Sequence, residues 1–197
     1  DKGVENVSIR DLNIETMDAL LSAEKVRQTL ATIDERLNEG PGAIGSEENP
    51  EEVHSRLSWA REVIERENMV QNVEWAKSTL KSQGFYEIDD YVECWKIIDR
   101  WLQAFGMLYY PSEISIADNS MRYSVYSSED VLKAVNDKQE NPYHDLFNEH
   151  IIDSMIQGDP DLVGISVTAT SQEMPAFTLA RLLKEKNADL HIAMGGS

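Results

Sequence analysis

The last 37 residues constrain the fold of this 197-residue chain more than any other part. Residues 162–167 form a short run of apolar and β-branched side chains, which is typical of a buried strand. Apolar residues then recur at helical spacing over residues 175–183, and a second apolar run spans residues 190–194. A strand, a helix and a strand in this order make a βαβ unit. We therefore predict two parallel strands joined by a right-handed crossover.

Polar residues follow the first predicted strand, and two glycines follow the second. Ligands of open parallel sheets bind outside the carboxyl ends of the strands, so these residues would share one rim. Two adjacent glycines let a flat or bulky ligand lie against bare backbone, although such a pair also commonly serves only as a turn. The candidate binding residues at this rim are Ser166, Thr168, Thr170, Gln172, Gly195 and Gly196.

The same stretch resembles a known family. It reads DLVGISV, then a glutamine, a proline, LARLLKE and finally GG. This wording is similar to the cobalamin-binding domains at the N-termini of cobalamin-dependent radical S-adenosylmethionine enzymes. That family carries Ser-x-Leu at one strand end and Gly-Gly at the next. Here the matching residues are Ser166-Val167-Thr168 and Gly195-Gly196. The resemblance covers residues 107–197 well and the first hundred poorly.

Two departures from the family pattern affect the cobalt site. Thr168 replaces the leucine of Ser-x-Leu, and no Asp-x-His triplet occurs, so the signature that supplies an axial histidine to cobalt is absent. Many cobalamin-dependent radical enzymes also lack that histidine. The departure therefore argues against a histidine-ligated mutase or methyltransferase more than against this subfamily.

The resemblance implies a fold, a cofactor and a parent protein. We expect an α/β chain in which a helical bundle, residues 1–105, precedes an incomplete parallel-sheet domain, residues 106–197, of the Rossmann-like, flavodoxin-like cobalamin-binding type. The implied cofactor of this domain is cobalamin, a methyl carrier in many members. The 4Fe-4S cluster and S-adenosylmethionine would belong to a part beyond Ser197. The fragment alone would then be inactive, and no catalytic residue is assigned.

The resemblance also suggests a substrate class. The wording of four short stretches looks like family members associated with modifying ribosomally made peptides. A peptide substrate of the parent Fe-S oxidoreductase is therefore an expectation. The four stretches are Tyr109-Tyr110-Pro111, Arg122-Tyr123-Ser124, Asn141-Pro142 and residues 161–166.

Charge and cysteine content narrow the function further. The net charge of −18 disfavours nucleic-acid phosphates and anionic membranes as partners. The single cysteine, Cys94, excludes a disulfide within the chain and a cysteine-based zinc or iron–sulfur site. No apolar run of 18 residues and no signal peptide is visible, so a cytoplasmic location is expected. No metal site is predicted, because His144 and His150 stand six positions apart and cannot share a helix face.

The first hundred residues predict a helical bundle. Apolar residues recur at helical spacing over residues 16–38, 49–82 and 90–105, and Asp90 to Glu93 resembles a capping box. The aromatic residues of the third helix could line a pocket, but aromatic side chains of this density more commonly form core. We therefore assign Trp95, Trp101 and Phe105 to the core.

Residues 106–160 predict the start of the α/β domain. We interpret residues 107–110 as its first strand, followed by a long loop over residues 111–126, and long loops are commonly functional. In this loop, Arg122 or Tyr123 could cover the lower face of cobalt. Alternatively, both pin the loop to the sheet. Helices are predicted from Ser127 and over residues 141–158.

Two other functions remain open from the sequence. The chain could be a recognition module for a peptide or partner protein, with a vestigial cobalamin site. It could also be a flavodoxin-like regulator, which would need an acidic cluster that Asp118 alone does not supply. We also predict self-association, because a truncated sheet leaves a bare edge.

Overall fold

A computed structural model describes residues 6–40, 49–116 and 119–196. Within these ranges the fold is mixed but mostly helical, as expected, with two separate two-stranded sheets. No helix in them is long and apolar enough to cross a membrane. The helices are α1 Leu12–Leu20, α2 Ala23–Glu39, α3 Pro50–Arg66, α4 Met69–Leu80, α5 Ile88–Gly106, α6 Ser128–Ala134, α7 Tyr143–His150, α8 Ile152–Ile156 and α9 Glu173–Lys186. The strands are β1 Glu113–Ile114, β2 Asn119–Ser120, β3 Leu162–Ser166 and β4 His191–Gly195.

The helix boundaries differ from the predicted ones for local reasons. The helix expected over residues 16–38 is two helices, because Ser22 accepts a hydrogen bond from the Lys25 amide and starts α2 there. The helix expected over residues 49–82 divides at Asn68, which has a left-handed backbone with φ of 48°. The helix expected from residue 90 begins at Ile88, so the predicted capping box is not used.

The core of the bundle is built around α5. Trp101, Leu102 and Phe105 are buried there, and the indole Nε1 of Trp101 donates to the carbonyl oxygen of Leu20 at 3.0 Å. Side chains of α2, α3 and α4 complete this core. The prediction of an aromatic core is confirmed for Trp101 and Phe105, whereas Trp95 is only partly buried.

The prediction of a strand over residues 107–110 is wrong. Met107–Tyr109 instead forms a 3₁₀ turn that continues α5, because Gly106 keeps a helical backbone with φ of −59°. Leu108 and Tyr109 are buried in the core of the bundle. The following loop contains the short antiparallel pair of β1 and β2, so β3 is the first parallel strand of the described chain.

The predicted βαβ unit is present. Strand β3 pairs in parallel with β4, in a register that runs from Leu162 opposite His191 to Ser166 opposite Gly195. Helix α9 connects them, and a second core joins α9 to β3, α7 and α8. The buried residues of this core are Phe147, Ile151, Ile152, Val163, Leu179, Leu182, Leu183 and Leu190.

A polar junction joins the bundle to the βαβ unit. Lys25 on α2 is buried and its ammonium lies 2.6 Å from a carboxylate oxygen of Glu149 on α7. The hydroxyl of Tyr109 donates to Asp145 at 2.9 Å. Burial is the main cause that raises the pKa of Tyr109, so this phenol stays protonated and remains a donor. The two cores are therefore held together by specific polar contacts as well as by packing.

Candidate functional site

The two predicted binding turns meet at one rim. The amide of Val167 donates to the carbonyl oxygen of Gly195 at 2.8 Å, directly beyond the register pair of Ser166 and Gly195. Parallel strands end on the same side of a sheet, which is why residues 29 positions apart become neighbours here. The rim expected from the sequence is thus formed by the carboxyl ends of β3 and β4.

The two glycines of the rim have different surroundings. A Cβ placed on Gly196 would collide with the backbone carbonyl of Val167, so the close approach of the two turns requires glycine at this position. A Cβ on Gly195 would have no atom within 4 Å, and the same holds for Gly164 on β3. Gly196 therefore closes the rim, and Gly195 leaves space above it.

One face of the sheet is open next to the rim. Side chains alternate between the two faces along a strand, and the side of β3 opposite the buried Val163 is exposed. Leu162 on that side is 56% exposed. The residues of β4 paired with this side are exposed as well. Near the rim the open face consists of small residues only, Gly164, Ser166, Ala193 and Gly195, and so forms a flat shelf.

The loop after β3 is held by a contact between two of the predicted binding residues, Thr168 and Gln172. The amide and hydroxyl of Thr168 both donate to the side-chain oxygen of Gln172, at 2.8 Å and 3.2 Å. A 3₁₀ turn, Thr170–Gln172, then leads into α9. Among the described residues, the exposed hydroxyls of Ser166 and Thr170 have no hydrogen-bond partner. Thr168 and Gln172 thus shape the loop, whereas Ser166 and Thr170 offer unpaired hydroxyls.

Arg122 and Tyr123 contact the turn between α6 and α7. The guanidinium of Arg122 binds Glu140 at 2.8 Å and 2.5 Å, and the Glu140 side chain is only 10% exposed. The hydroxyl of Tyr123 donates to Asp137 at 2.6 Å. Burial and this carboxylate raise the pKa of Tyr123. These contacts match the alternative in which the two residues pin the loop, with the α6–α7 turn as the anchor instead of the sheet.

The pinned loop lies beside the start of α9. Tyr123 packs against the small core of Ala134, Val135 and Met174, and Met174 is the second residue of α9. Tyr123 therefore contacts the first turn of α9, the helix that follows the loop after β3. Asp118 of the same loop lies outside the described residues, as does Ser197 after the rim.

A buried polar cluster between α6, α7 and α9 was not predicted. Asn141 is fully buried and donates to the carbonyl oxygen of Ala134 and to the hydroxyl of Thr178, each at 2.9 Å. His144 is buried with Nε2 2.6 Å from the carbonyl oxygen of Val135. From the sequence, the Asn141-Pro142 pair predicts the start of a helix and forms part of the family resemblance, but it does not predict this cluster. Its side-chain partners are distant in sequence and left no local signal.

A groove of about 600 Å³ lies on the bundle between the end of α3, the start of α4 and α5. Three cations line it, but each is paired with a carboxylate. Lys96 lies 3.3 Å from Glu93 and Arg100 lies 3.0 Å from Glu67, while Arg66 pairs along its own helix. The described lining of the groove therefore offers no unpaired positive charge to an anion. No group of three or more metal-ligating side chains occurs in the described ranges.

Comparisons with protein families, with characterised proteins and with solved structures find no match to this chain. The rim itself and the sequence resemblance given above are therefore the features that indicate a function.

Proposed function

We propose that the rim of β3 and β4 binds the nucleotide tail of a corrinoid, in a cobalamin-binding-type α/β domain. The observation that carries this proposal is the meeting of the two turns, with Gly196 packed against the Val167 carbonyl. In the resembling family, the Ser-x-Leu and Gly-Gly positions lie at such strand ends. Rims of this kind are where open parallel sheets take their ligands.

The residues at the rim fit such a tail. Ser166 and Thr170 present hydroxyls that are unpaired within the described part of the chain, and these can donate to or accept from the polar groups of a nucleotide. The shelf beside them carries no large side chain near the rim, so an extended ligand can lie close to backbone at Gly195. Thr168 and Gln172 have a different task, which is to hold the loop in shape through their mutual hydrogen bonds.

The chain's role would be to bind and orient the corrinoid. When bound, the corrinoid supplies methyl-carrier chemistry, which is a property of the cofactor. We assign Arg122 and Tyr123 to positioning the loop beside α9 and not to contact with cobalt, because Glu140 and Asp137 engage their polar groups. With one cysteine, the chain cannot hold a 4Fe-4S cluster by itself. A radical S-adenosylmethionine reaction would require cysteines from outside these residues.

The test compares two corrinoids on the purified 197-residue chain. Equilibrium dialysis, followed by visible absorbance, gives the affinity for hydroxocobalamin and for cobinamide, which lacks the nucleotide tail. We expect hydroxocobalamin to bind at least tenfold more tightly, because only it has a tail for the rim. Equal affinities, or no retention of either corrinoid, would contradict the proposal.

A variant at Gly195, where the rim has open space, makes this test more specific. Gly195→Leu places a side chain where the tail would lie, and its Cβ would have no described atom within 4 Å. The matched control is Gly158→Leu, whose Cβ also has no described atom within 4 Å but lies just after α8. We expect Gly195→Leu to lower cobalamin affinity at least tenfold and Gly158→Leu to leave it unchanged.

A further inference from the structure

The outer side of α5 carries apolar residues where a surface helix ordinarily carries polar ones. Cys94, Ile98 and Trp101 face the core of the bundle. Ile88 and Val92 lie on the opposite side, one helical turn apart. Ile88 is 71% exposed and Val92 is exposed as well. A surface helix of a self-contained bundle needs only one apolar stripe, so this second stripe requires another explanation.

Aromatic rings extend this stripe into a patch. Phe85 stands edge-on to Tyr86, with ring centroids 5.2 Å apart, and edge-on to Tyr91 at 5.6 Å. Tyr91 in turn contacts Trp95 at 5.8 Å, also edge-on. Tyr86 is 77% exposed. These contacts hold the rings in place before any partner arrives, which lowers the entropy cost of binding. The α5 patch is defined as Phe85, Tyr86, Ile88, Tyr91, Val92 and Trp95.

Carboxylates are interleaved with the residues of the α5 patch along the chain. Residues 82–95 contain Glu87, Asp89, Asp90 and Glu93 but no lysine or arginine. Glu93 pairs with Lys96, at 3.3 Å. Among the described residues, the other three carboxylates form no ion pair. These carboxylates form an acidic margin of the patch in sequence, in a chain whose net charge is already −18. Lys81 and Lys96 stand just beyond this margin, and each is paired with a carboxylate, of Asp18 and Glu93 respectively.

The charge decides which occupant fits. A second copy docked on the same patch would bring carboxylates against carboxylates, and an anionic membrane or a nucleic acid would be repelled as well. A polypeptide segment that combines lysine or arginine with apolar side chains would satisfy both parts of the patch. Cations also bind favourably over aromatic rings. We propose that the α5 patch is a docking surface for a basic, apolar segment of a partner polypeptide.

This proposal does not depend on corrinoid binding, because the patch and the rim lie on different elements. The test uses a random 12-residue peptide library displayed on phage and selected against the purified chain. We expect the selected peptides to be enriched in lysine or arginine together with leucine, isoleucine or aromatic residues. Failure to enrich such peptides would overturn the proposal, as would selection of acidic ones.

Two pairs of variants locate the binding. Tyr86→Ser/Ile88→Ser removes exposed apolar groups of the patch, and Ile9→Ser/Leu132→Ser removes equally exposed ones elsewhere. Glu87→Gln/Asp89→Asn removes charge at the margin, and Glu24→Gln/Glu51→Gln removes acids from the first turns of two other helices. For a selected peptide measured by fluorescence anisotropy, each patch variant should weaken binding at least tenfold and each control less than twofold. Unchanged binding to the patch variants would overturn the assignment.

Added salt separates the electrostatic contribution to peptide binding from the apolar contribution. Raising ionic strength should weaken peptide binding to the wild-type chain, because the margin charges are exposed and easily screened. The same salt should have a smaller effect on the residual binding of Glu87→Gln/Asp89→Asn. If sedimentation shows that the wild-type chain forms a dimer that Tyr86→Ser/Ile88→Ser abolishes, the occupant is a second copy and the proposal fails.

Discussion

The helical bundle and the βαβ unit differ in how far they bury their central element, which is α5 in the bundle and the sheet in the βαβ unit. In the bundle, the inner side of α5 packs into a core shared with α2, α3 and α4, and Trp101 and Phe105 have almost no contact with solvent. In the βαβ unit, helices cover one face of the sheet and leave the other open. Parallel sheets are ordinarily covered on both faces. The contrast is that the bundle buries its core side chains on all sides, whereas one face of the sheet stays exposed to solvent.

One leucine-to-alanine substitution in each region should give the largest difference in the free energy of unfolding. Leu57→Ala empties a fully buried site in the bundle and should lower the free energy of unfolding by about 2–5 kcal/mol. Leu162→Ala, on the open face of the sheet, should change it by less than about 0.5 kcal/mol. Urea unfolding measures both. Equal costs would mean that the open face is covered in solution.

A second pair of variants tests whether Arg122 is a structural anchor. Arg122→Gln leaves the largely buried carboxylate of Glu140 without its cation and should cost about 1–3 kcal/mol. The control is Arg181→Gln, which breaks an exposed pair with Glu185 on α9 at 3.1 Å and should cost less than about 1 kcal/mol. Thermal unfolding compares the two. A stable Arg122→Gln protein with lost cobalamin affinity would instead assign Arg122 to the ligand.

The sequence was informative where a structure depends on neighbouring residues. The βαβ unit followed from apolar runs and helical spacing within one short stretch, and the register of Ser166 opposite Gly195 agrees with it. The strand expected at residues 107–110 failed for a physical reason. A run of four apolar residues suits a strand or a buried helical turn equally well, and here α5 continued into it.

Long-range partners could not be predicted. The candidate rim was visible because both turns carry local signals, serine and threonine in one and paired glycines in the other. The partners of Arg122 and Tyr123 were not, because Glu140 and Asp137 are acids like many others in this chain. The left-handed Asn68 that divides α3 from α4 had a weak signal, since asparagine adopts this backbone more readily than most residues.

The two glycines of the rim should respond differently to alanine. Gly196→Ala forces a methyl group against the Val167 carbonyl and should cost about 1–3 kcal/mol, as overpacking does. Gly195→Ala meets open space and should be tolerated to within about 0.5 kcal/mol. Chemical denaturation gives both values. A tolerated Gly196→Ala would show that the two turns do not approach each other closely.

The smallest expected effect is a pH dependence in the bundle. The pKa of Asp18 lies below its ordinary value of 3.8, mainly because Lys81 donates a hydrogen bond to it, and Lys77 adds to this. A lowered folded-state pKa stabilises the protein above the unfolded value, and that contribution is lost as pH falls through the folded value. Asp18→Asn should therefore cost about 0.2–1 kcal/mol at pH 7 and progressively less towards pH 3. A cost that does not change with pH would contradict the ion pair.

The rim of β3 and β4 is the proposed binding site, and the bundle core is expected to take no part in binding. Hydrogen–deuterium exchange of the chain, with and without saturating hydroxocobalamin, tests it directly. Exchange should slow in peptides covering residues 166–172 and 192–197, and remain unchanged in peptides from the interior of α3 and α5. Slowed exchange confined to the bundle, or no change at the rim, would contradict the account.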